Sequence, residues 1–180
     1  SSNNYLLYVG RFAKNKGIEE ILKVFSKLKK KYSNFKLILI GDGPLQKQIT
    51  DYVKQNNLIK DVILPGRLTH EIACYYYNIS SVLVNVGMSG GLANVIIEAI
   101  ASKLPIIATD VGASKDYVGE KSKNGILINS INEVEIEKGI IEIISNGKKY
   151  KNSNEKILEK FSFEFFGKKL NQTYMELLNK

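Results

Sequence analysis

A chain of 180 residues, of which 44% are hydrophobic, is long enough for one domain with a full core, and it has no apolar run that would cross a bilayer. Its single cysteine excludes an internal disulfide. The net charge of +8 would suit a nucleic-acid binder, but only Arg11 and Arg67 are arginines and many of the lysines lie between Lys14 and Lys36, which favours a solvated helix face instead.

The first half of the chain alternates buried apolar runs with helical patterns. Strand runs are short and end in glycine or a polar residue, whereas helical stretches repeat apolar residues every three or four positions. The patterns predict strands over 5–10, 35–40 and 61–65, and helices over 18–32, 45–53 and 69–77, the last with Thr69 as its N-cap.

The second half continues the alternation. The patterns predict strands over 81–86, 106–109 and 125–128, helices over 93–102, 136–144 and 161–178, and a polar surface loop over 146–154. Strands that alternate with helices form a parallel sheet covered on both faces. We therefore predict an α/β fold with a doubly wound, Rossmann-like parallel sheet of six strands.

Ligands of such sheets bind beyond the carboxyl ends of the strands. Four loops are candidates there, at 10–11, 41–43, 66–67 and 87–91, and both arginines of the chain directly follow a strand-ending glycine. The segment 41–46 is similar to the start of a dinucleotide fingerprint but lacks its third glycine, so a plain strand-to-helix turn is favoured. His70 is the one histidine of the chain, which favours a structural role over a catalytic or metal-binding one.

The loop at 87–91 has the character of an anion site. Gly87, Gly90 and Gly91 connect a strand to a helix, and no charged residue occurs from 72 to 97. A helix that begins after such a turn directs backbone N–H groups at one point, which suits a phosphate. Arg11 and Lys16 from the first loop would reach the same mouth and complete a cradle for a diphosphate.

Glu98 is the one acid of an otherwise apolar helix. Two interpretations of it stay open. It either belongs to a buried polar network, or it accepts hydrogen bonds from ligand hydroxyls such as those of a ribose.

As an ordered series, the motifs resemble the C-terminal, nucleotide-sugar-binding half of a retaining glycosyltransferase of the GT-B fold, the "group 1" or family-four type. The series covers most of the chain and consists of Gly10-Arg11, Lys16-Gly17, Gly41 to Leu45, Gly66-Arg67, Gly91 to Ala99, Leu104 to Gly112 and Asn124 to Leu127.

The resemblance implies a role for each motif. Arg11 and Lys16 would stabilise the donor's diphosphate as it leaves, so that no metal or other cofactor is needed. Glu98 would bind the ribose, and the loop around Gly66, Arg67 and Leu68 would lie against the base. Gly10 is a further substrate-binding residue. The helix start at Gly91, Leu92, Ala93 and Asn94 would add backbone N–H donors for the diphosphate. Gly90 completes the substrate-binding set.

One position departs from the family pattern. The family has two glutamates separated by seven residues, and Glu98 is the second of them. The first falls on Gly90. Because that glutamate contacts the donor sugar in the family, an alternative is a nucleotide-sugar-binding module with impaired catalysis. A basic nucleic-acid-binding domain is the other alternative.

The resemblance also sets expectations for partners and location. We expect residues 1–180 to be one donor-binding domain, with the N-terminal acceptor domain absent from this chain and little transfer by the chain alone. The partner would be a UDP-, GDP- or ADP-sugar, and not a nucleic acid. We expect a cytoplasmic protein, and the aromatic, basic segment 161–169 leaves contact with the inner face of the membrane as an open alternative.

Overall fold

The computed structural model describes residues 4–88, 94–119, 121–150 and 155–178. It contains one sheet whose strands all pair in parallel. The strands are β1 (Asn4–Val9), β2 (Phe35–Ile40), β3 (Val62–Gly66), β4 (Val82–Asn85), β5 (Ile106–Thr109) and β6 (Gly125–Ile128).

The strand order is β3-β2-β1-β4-β5-β6. From β1 the chain adds β2 and then β3 on one side of the sheet. It then returns to the other side of β1 and adds β4, β5 and β6. The predicted doubly wound sheet of six strands is confirmed. The order reverses between β1 and β4, and a crevice at such a reversal is where ligands of this architecture bind.

The helices lie on both faces of the sheet, as predicted. None of those that the structure describes combines the length and apolar character that a membrane crossing requires. They are α1 (Ile18–Lys31), α2 (Gln46–Gln55), α3 (His70–Ile79), α4 (Asn94–Ala101), α5 (Ser114–Tyr117), α6 (Glu133–Asn146), α7 (Glu155–Glu159) and α8 (Phe163–Leu178). Thr69 caps α3 as expected, since its side chain accepts a hydrogen bond from the Ile72 N–H.

Some local predictions were wrong or incomplete. The predicted surface loop over 146–154 contains a 3₁₀ turn at Gly147–Tyr150, and Tyr150 is buried with its hydroxyl donating to Glu142 Oε1 at 3.0 Å. One buried tyrosine therefore holds this otherwise polar segment against the core. The one-turn helices α5 and α7 were also missed, because four or five residues are too few to show a helical period.

Two apolar layers follow from the alternation along the strands. In β1, Leu6 and Tyr8 point into the layer beneath α1, α2 and α6, whereas Leu7 points into the layer beneath α3 and α4. All three side chains are essentially inaccessible to water. Burial on both faces explains why the strands read as continuous apolar runs.

The lysine-rich face of α1 is held by acids of α6. Lys27 pairs with Glu133, and Lys31 Nζ lies 2.8 Å from Glu137 Oε1. These contacts join residues 106 positions apart in the sequence. Much of this basic stripe is therefore matched by carboxylates of the same domain, which supports the expectation of a solvated helix face.

Asp61 is a half-buried electrostatic link directly before β3. Its Oδ1 lies 2.9 Å from Lys29 Nζ and 2.8 Å from Lys36 Nζ, with 16% of its side chain exposed. Burial opposes ionisation, but the hydrogen bonds from Lys36 and Lys29 outweigh it and hold the pKa of Asp61 below its usual value.

Asp61→Asn should therefore lower stability in a pH-dependent way. The carboxyl has a lower pKa folded than unfolded, so its contribution is complete above the unfolded pKa and is lost as the pH falls through the folded one. We expect a loss of about 1–2 kcal/mol at pH 7 and a much smaller one near pH 3, measured by urea denaturation. A loss that does not vary with pH would contradict the ion-pair interpretation.

Candidate functional site

The loops that follow β1, β2 and β3 are joined through their backbones. Phe12 N–H donates to Asp42 O at 2.6 Å, and Leu45 N–H donates to Phe12 O at 3.0 Å. Gly41 N–H donates to Gly66 O at 2.9 Å. Three separate segments of sequence thus form one continuous floor at the carboxyl edge of the sheet.

This floor requires a glycine at position 41. Gly41 has a φ of 132°, which disfavours residues with a side chain, and a Cβ atom there would overlap the carbonyl oxygen of Gly10. The two loops approach each other more closely than any side chain would permit. Gly41, which belongs to the partial dinucleotide fingerprint, therefore permits a close backbone contact between two loops.

A cleft of about 660 Å³ opens above this floor. Tyr8 supports one wall, because its buried hydroxyl donates to the Arg11 carbonyl oxygen at 2.8 Å. Burial raises the pKa of Tyr8, which keeps this donor protonated. The residues that line the cleft are Gly10, Arg11, Gly41, Asp42, Gly43, Pro44, Gln46 and Arg67.

The two arginines of the cleft differ in their partners. Arg67 Nε lies 2.8 Å from Asp42 Oδ2, so this cation faces a carboxylate. Within the described ranges no carboxylate pairs with Arg11, which is exposed. The sequence analysis did not predict Asp42 as a residue of the site. Its position between two glycines directly after a strand could have indicated it. The net positive side of the cleft is thus the Arg11 side.

Lys16 lies at the reversal of strand order, beside the end of β4. It ends a 3₁₀ turn, Lys14–Lys16, that docks there through a hydrogen bond from Met88 N–H to Asn15 O at 2.9 Å. A Cβ atom added to Gly87 would lie 3.3 Å from Lys16 Cδ, so the lysine chain runs across this glycine. The predicted approach of the first loop to the glycine turn is therefore seen at Lys16 and Gly87.

Gly17 makes this docking possible. It adopts a left-handed φ of 66°, and a Cβ atom there would come within 2.7 Å of Val86 Cγ2. On the far side, the buried Thr109 hydroxyl donates to Gly87 O at 2.6 Å. Gly87 is thus contacted on both sides, by Lys16 of the first loop and by Thr109 at the end of β5.

Glu98 lies in a polar group between α3 and α4. Its Oε2 accepts a hydrogen bond of 2.5 Å from the Tyr77 hydroxyl, and its Oε1 lies 3.4 Å from His70 Nδ1. Burial, followed by the bond to Glu98, raises the pKa of Tyr77. The bond to Tyr77 agrees with the polar-network interpretation, but the group is only partly buried, since 23% of the Glu98 side chain and 68% of the His70 side chain are exposed. Tyr77 and His70 were missed as its partners, since they lie on another helix.

The structure brings several predicted site residues to one edge of the sheet and leaves others apart. Gly10, Arg11 and Arg67 line the cleft, and Gly66 belongs to its floor. Leu68 is half-buried against the core beneath α3, and Asn94 is exposed at the first turn of α4. Lys16 and Glu98 lie outside the cleft lining. The predicted residues Gly90, Gly91, Leu92 and Ala93 lie outside the described residues.

Metal-binding side chains do not cluster in the part of the chain that the structure describes, where no group of three His, Cys, Asp or Glu residues could hold an ion. His70 lies near the Glu98 carboxylate and is 68% exposed. The expectation that the site works without a metal stays a prediction.

The family model of "Glycosyl transferases group 1" matches residues 1–160. An uncharacterised glycosyltransferase of Methanocaldococcus jannaschii is 31% identical over 97% of the chain and 48% of its own length. The alpha-monoglucosyldiacylglycerol synthase of Acholeplasma laidlawii is 30% identical over 97% of the chain and 44% of its own length. The chain thus spans about half the length of these curated relatives.

Solved structures agree in fold. The C-terminal domain of a group 1 glycosyl transferase from Francisella tularensis, LpcC, is 26% identical with a TM-score of 0.77, covering 90% of this chain and 88% of that one. A Staphylococcus aureus TarM variant, solved with UDP among its ligands, has a TM-score of 0.82 and covers 99% of this chain and 36% of that one. At 24% identity, that second likeness shows the fold alone.

Gly41→Ala tests the loop floor. The added methyl group would force apart the backbones of the first two loops, so we expect a loss of about 3 kcal/mol in the free energy of unfolding. Gly147→Ala is the matched control, since Gly147 has helical φ and nothing lies within 4 Å of an added Cβ. Chemical denaturation should show no loss for the control, and equal losses would refute the close-approach argument.

Proposed function

The chain belongs to the group 1 glycosyl transferases, and on that basis we propose that it is the donor-binding half of a retaining glycosyltransferase. The observation that carries the proposal is the position of the first loop. Arg11 lines the cleft at the carboxyl edge of the sheet, and Lys16 crosses Gly87 at the reversal of strand order. Both cations thus lie at the edge where a doubly wound sheet binds nucleotides.

In this proposal the donor's diphosphate binds on the side of Arg11 and Lys16. The Asp42 carboxylate offsets Arg67 and would repel a phosphate placed beside it. The diphosphate is therefore drawn towards the first loop, with further N–H donors expected from Gly91, Leu92, Ala93 and Asn94. The nucleoside extends away from these cations, with Gly66, Arg67 and Leu68 against the base and Glu98 at the ribose.

The reaction breaks the bond between the sugar's anomeric carbon and the diphosphate oxygen. The bonding electron pair leaves with the diphosphate, and the negative charge that grows there is stabilised by Arg11 and Lys16. The acceptor hydroxyl forms the new bond on the same face of the sugar and gives its proton to the departing diphosphate, which has gained the negative charge. Because two cations serve the leaving group, we propose that no metal is required.

We propose that the acceptor site lies in an N-terminal domain that pairs with this one. The matched relatives are about twice as long as the chain, which supports a second domain in the working enzyme. The chain alone should bind nucleotide sugars weakly and transfer sugar poorly. UDP-sugars are the first donors to test, because TarM was solved with UDP.

A module with impaired catalysis is the second candidate, and Gly90 is the observation that favours it. Without a carboxylate at that position, contact with the donor sugar is reduced while nucleotide binding persists. Transfer assayed in a protein that contains both domains decides between the two. Product formation dismisses the impaired module, and nucleotide binding without product supports it.

We propose that the enzyme is cytoplasmic and that nucleic acid is not one of its partners. Several α1 lysines are already paired with α6 acids, which leaves less charge for a polyanion. Phe161, from the segment considered for membrane contact, packs its ring 5.3 Å from that of Tyr117. That contact favours docking of the segment on the domain, although Phe161 keeps 42% exposure and contact with an inner membrane face stays an alternative.

Arg11→Ala and Lys16→Ala should each weaken UDP binding by about tenfold, the loss of one charge-assisted hydrogen bond or more. Binding of uridine should change by less than about twofold, because it lacks the phosphates. Isothermal titration calorimetry on the chain measures both ligands, with GDP and ADP in parallel to cover the other bases.

Lys168→Ala is the control for the removal of one positive charge. Lys168 is exposed on α8 and pairs with Glu164. It should leave both affinities unchanged. Equal losses of UDP and uridine binding in the first-loop variants would show that the phosphate assignment is wrong, and no binding of any diphosphate at millimolar concentration would overturn the proposed function.

A further inference from the structure

We propose that Tyr77 is a positioning residue for ribose recognition, acting through Glu98. The inference rests on the proposed function, because it assumes that Glu98 meets the ribose of a nucleotide donor. It unites the two interpretations of Glu98, which would be both a member of a polar network and a ligand-binding group. The Tyr77 hydroxyl would hold one carboxylate oxygen so that the other is presented to the ligand.

The two oxygens of Glu98 have different surroundings. Oε2 accepts the 2.5 Å hydrogen bond from Tyr77, whose side chain is 1% exposed. Oε1 lies on the side of His70, which is 68% exposed, at a distance of 3.4 Å from Nδ1. One oxygen is therefore anchored from the core, and the other lies beside the exposed His70, beyond the range of a short hydrogen bond to the imidazole.

Packing fixes the anchor itself. Tyr77 belongs to the core beneath α3 and α4, together with Ala73 of its own helix and Ile96 and Ile100 of α4. A ring enclosed by such neighbours has little rotational freedom, so its hydroxyl oxygen occupies one position. The hydrogen bond to Oε2 then restricts the rotation of the Glu98 carboxylate, which would otherwise turn freely at the end of a flexible side chain.

A restricted carboxylate is what recognition of a ribose needs. A carboxylate has about four acceptor positions, and vicinal hydroxyls meet two of them only when its plane is held in one orientation. With Oε2 engaged by Tyr77, Oε1 keeps its acceptor capacity for a ligand hydroxyl. Removal of the Tyr77 hydroxyl would allow Glu98 to turn towards His70 or solvent, and would weaken hydroxyl recognition while leaving the phosphate contacts in place.

The test compares each nucleoside diphosphate with its 2′-deoxy form. Calorimetry gives the affinity ratio of UDP to 2′-deoxy-UDP for the wild-type chain, with the GDP and ADP pairs alongside. We expect the wild type to favour the ribonucleotide by about tenfold. Tyr77→Phe should reduce that ratio at least about threefold, through weaker ribonucleotide binding, and change the affinity for the deoxynucleotide by less than about twofold.

Tyr150→Phe is the matched control. Tyr150 is also buried and also donates its hydroxyl to a glutamate, Glu142, but it lies outside the cleft and the Glu98 group. It should leave the ratio unchanged while losing a hydrogen bond of the same kind. If Tyr77→Phe weakens both nucleotides equally, or leaves the ratio at the wild-type value, the positioning role is overturned.

Glu98→Gln separates this inference from the proposed function. If Glu98→Gln abolishes the preference for ribose and Tyr77→Phe does not, only the role of Tyr77 is wrong. If the wild type shows no preference between ribose and deoxyribose, the ribose assignment of Glu98 is wrong and the inference falls with it. Loss of the preference in both variants, with deoxynucleotide affinity retained, supports the inference.

Discussion

The site depends on the close approach of two backbones, where Gly41 meets the carbonyl of Gly10. That contact lets the loops after β1 and β2 exchange hydrogen bonds through Phe12 and Asp42, while the loop after β3 joins through Gly66. The cleft has walls only because its floor is held in this way. The backbone contacts of these loops set the positions from which the Arg11 and Arg67 side chains extend. The same packing rule operates at Gly17 against Val86, where the first loop reaches β4.

Much of the fold could be predicted because burial leaves a direct trace in the sequence. Strands covered on both faces appear as short apolar runs, and the glycines after β1 and β2 mark their ends. The positions of Arg11 and Arg67 at the sheet edge followed from that order alone. Partners could not be predicted where they depend on the packing of separate elements. Nothing local indicates that Tyr77 meets Glu98, that Asp42 meets Arg67, or that a lysine of α1 pairs with an acid 106 residues later.

The positions of the charged residues in this chain are more informative than its net charge. The net charge of +8 would suggest a uniformly basic surface, yet lysines of α1 face acids of α6 and the arginine of the third loop faces Asp42. The Arg11 side of the cleft is left as its positive side. Ion pairs of this kind reduce the positive charge at α1 and at Arg67, whereas the Arg11 side of the cleft keeps a charge that can attract an anionic ligand.

Tyr150 packs just beyond the end of α6 at the opposite edge of the sheet, where the last turn of that helix borders the first residue of β1 and the residues before β4. The proposed ligand contacts lie at one edge, and this anchoring contact lies at the other. Such separation allows evolutionary change at the amino edge to alter thermal tolerance without altering ligand choice, and the reverse at the cleft. A scaffold divided in this way can diversify its ligands while its core stays almost constant.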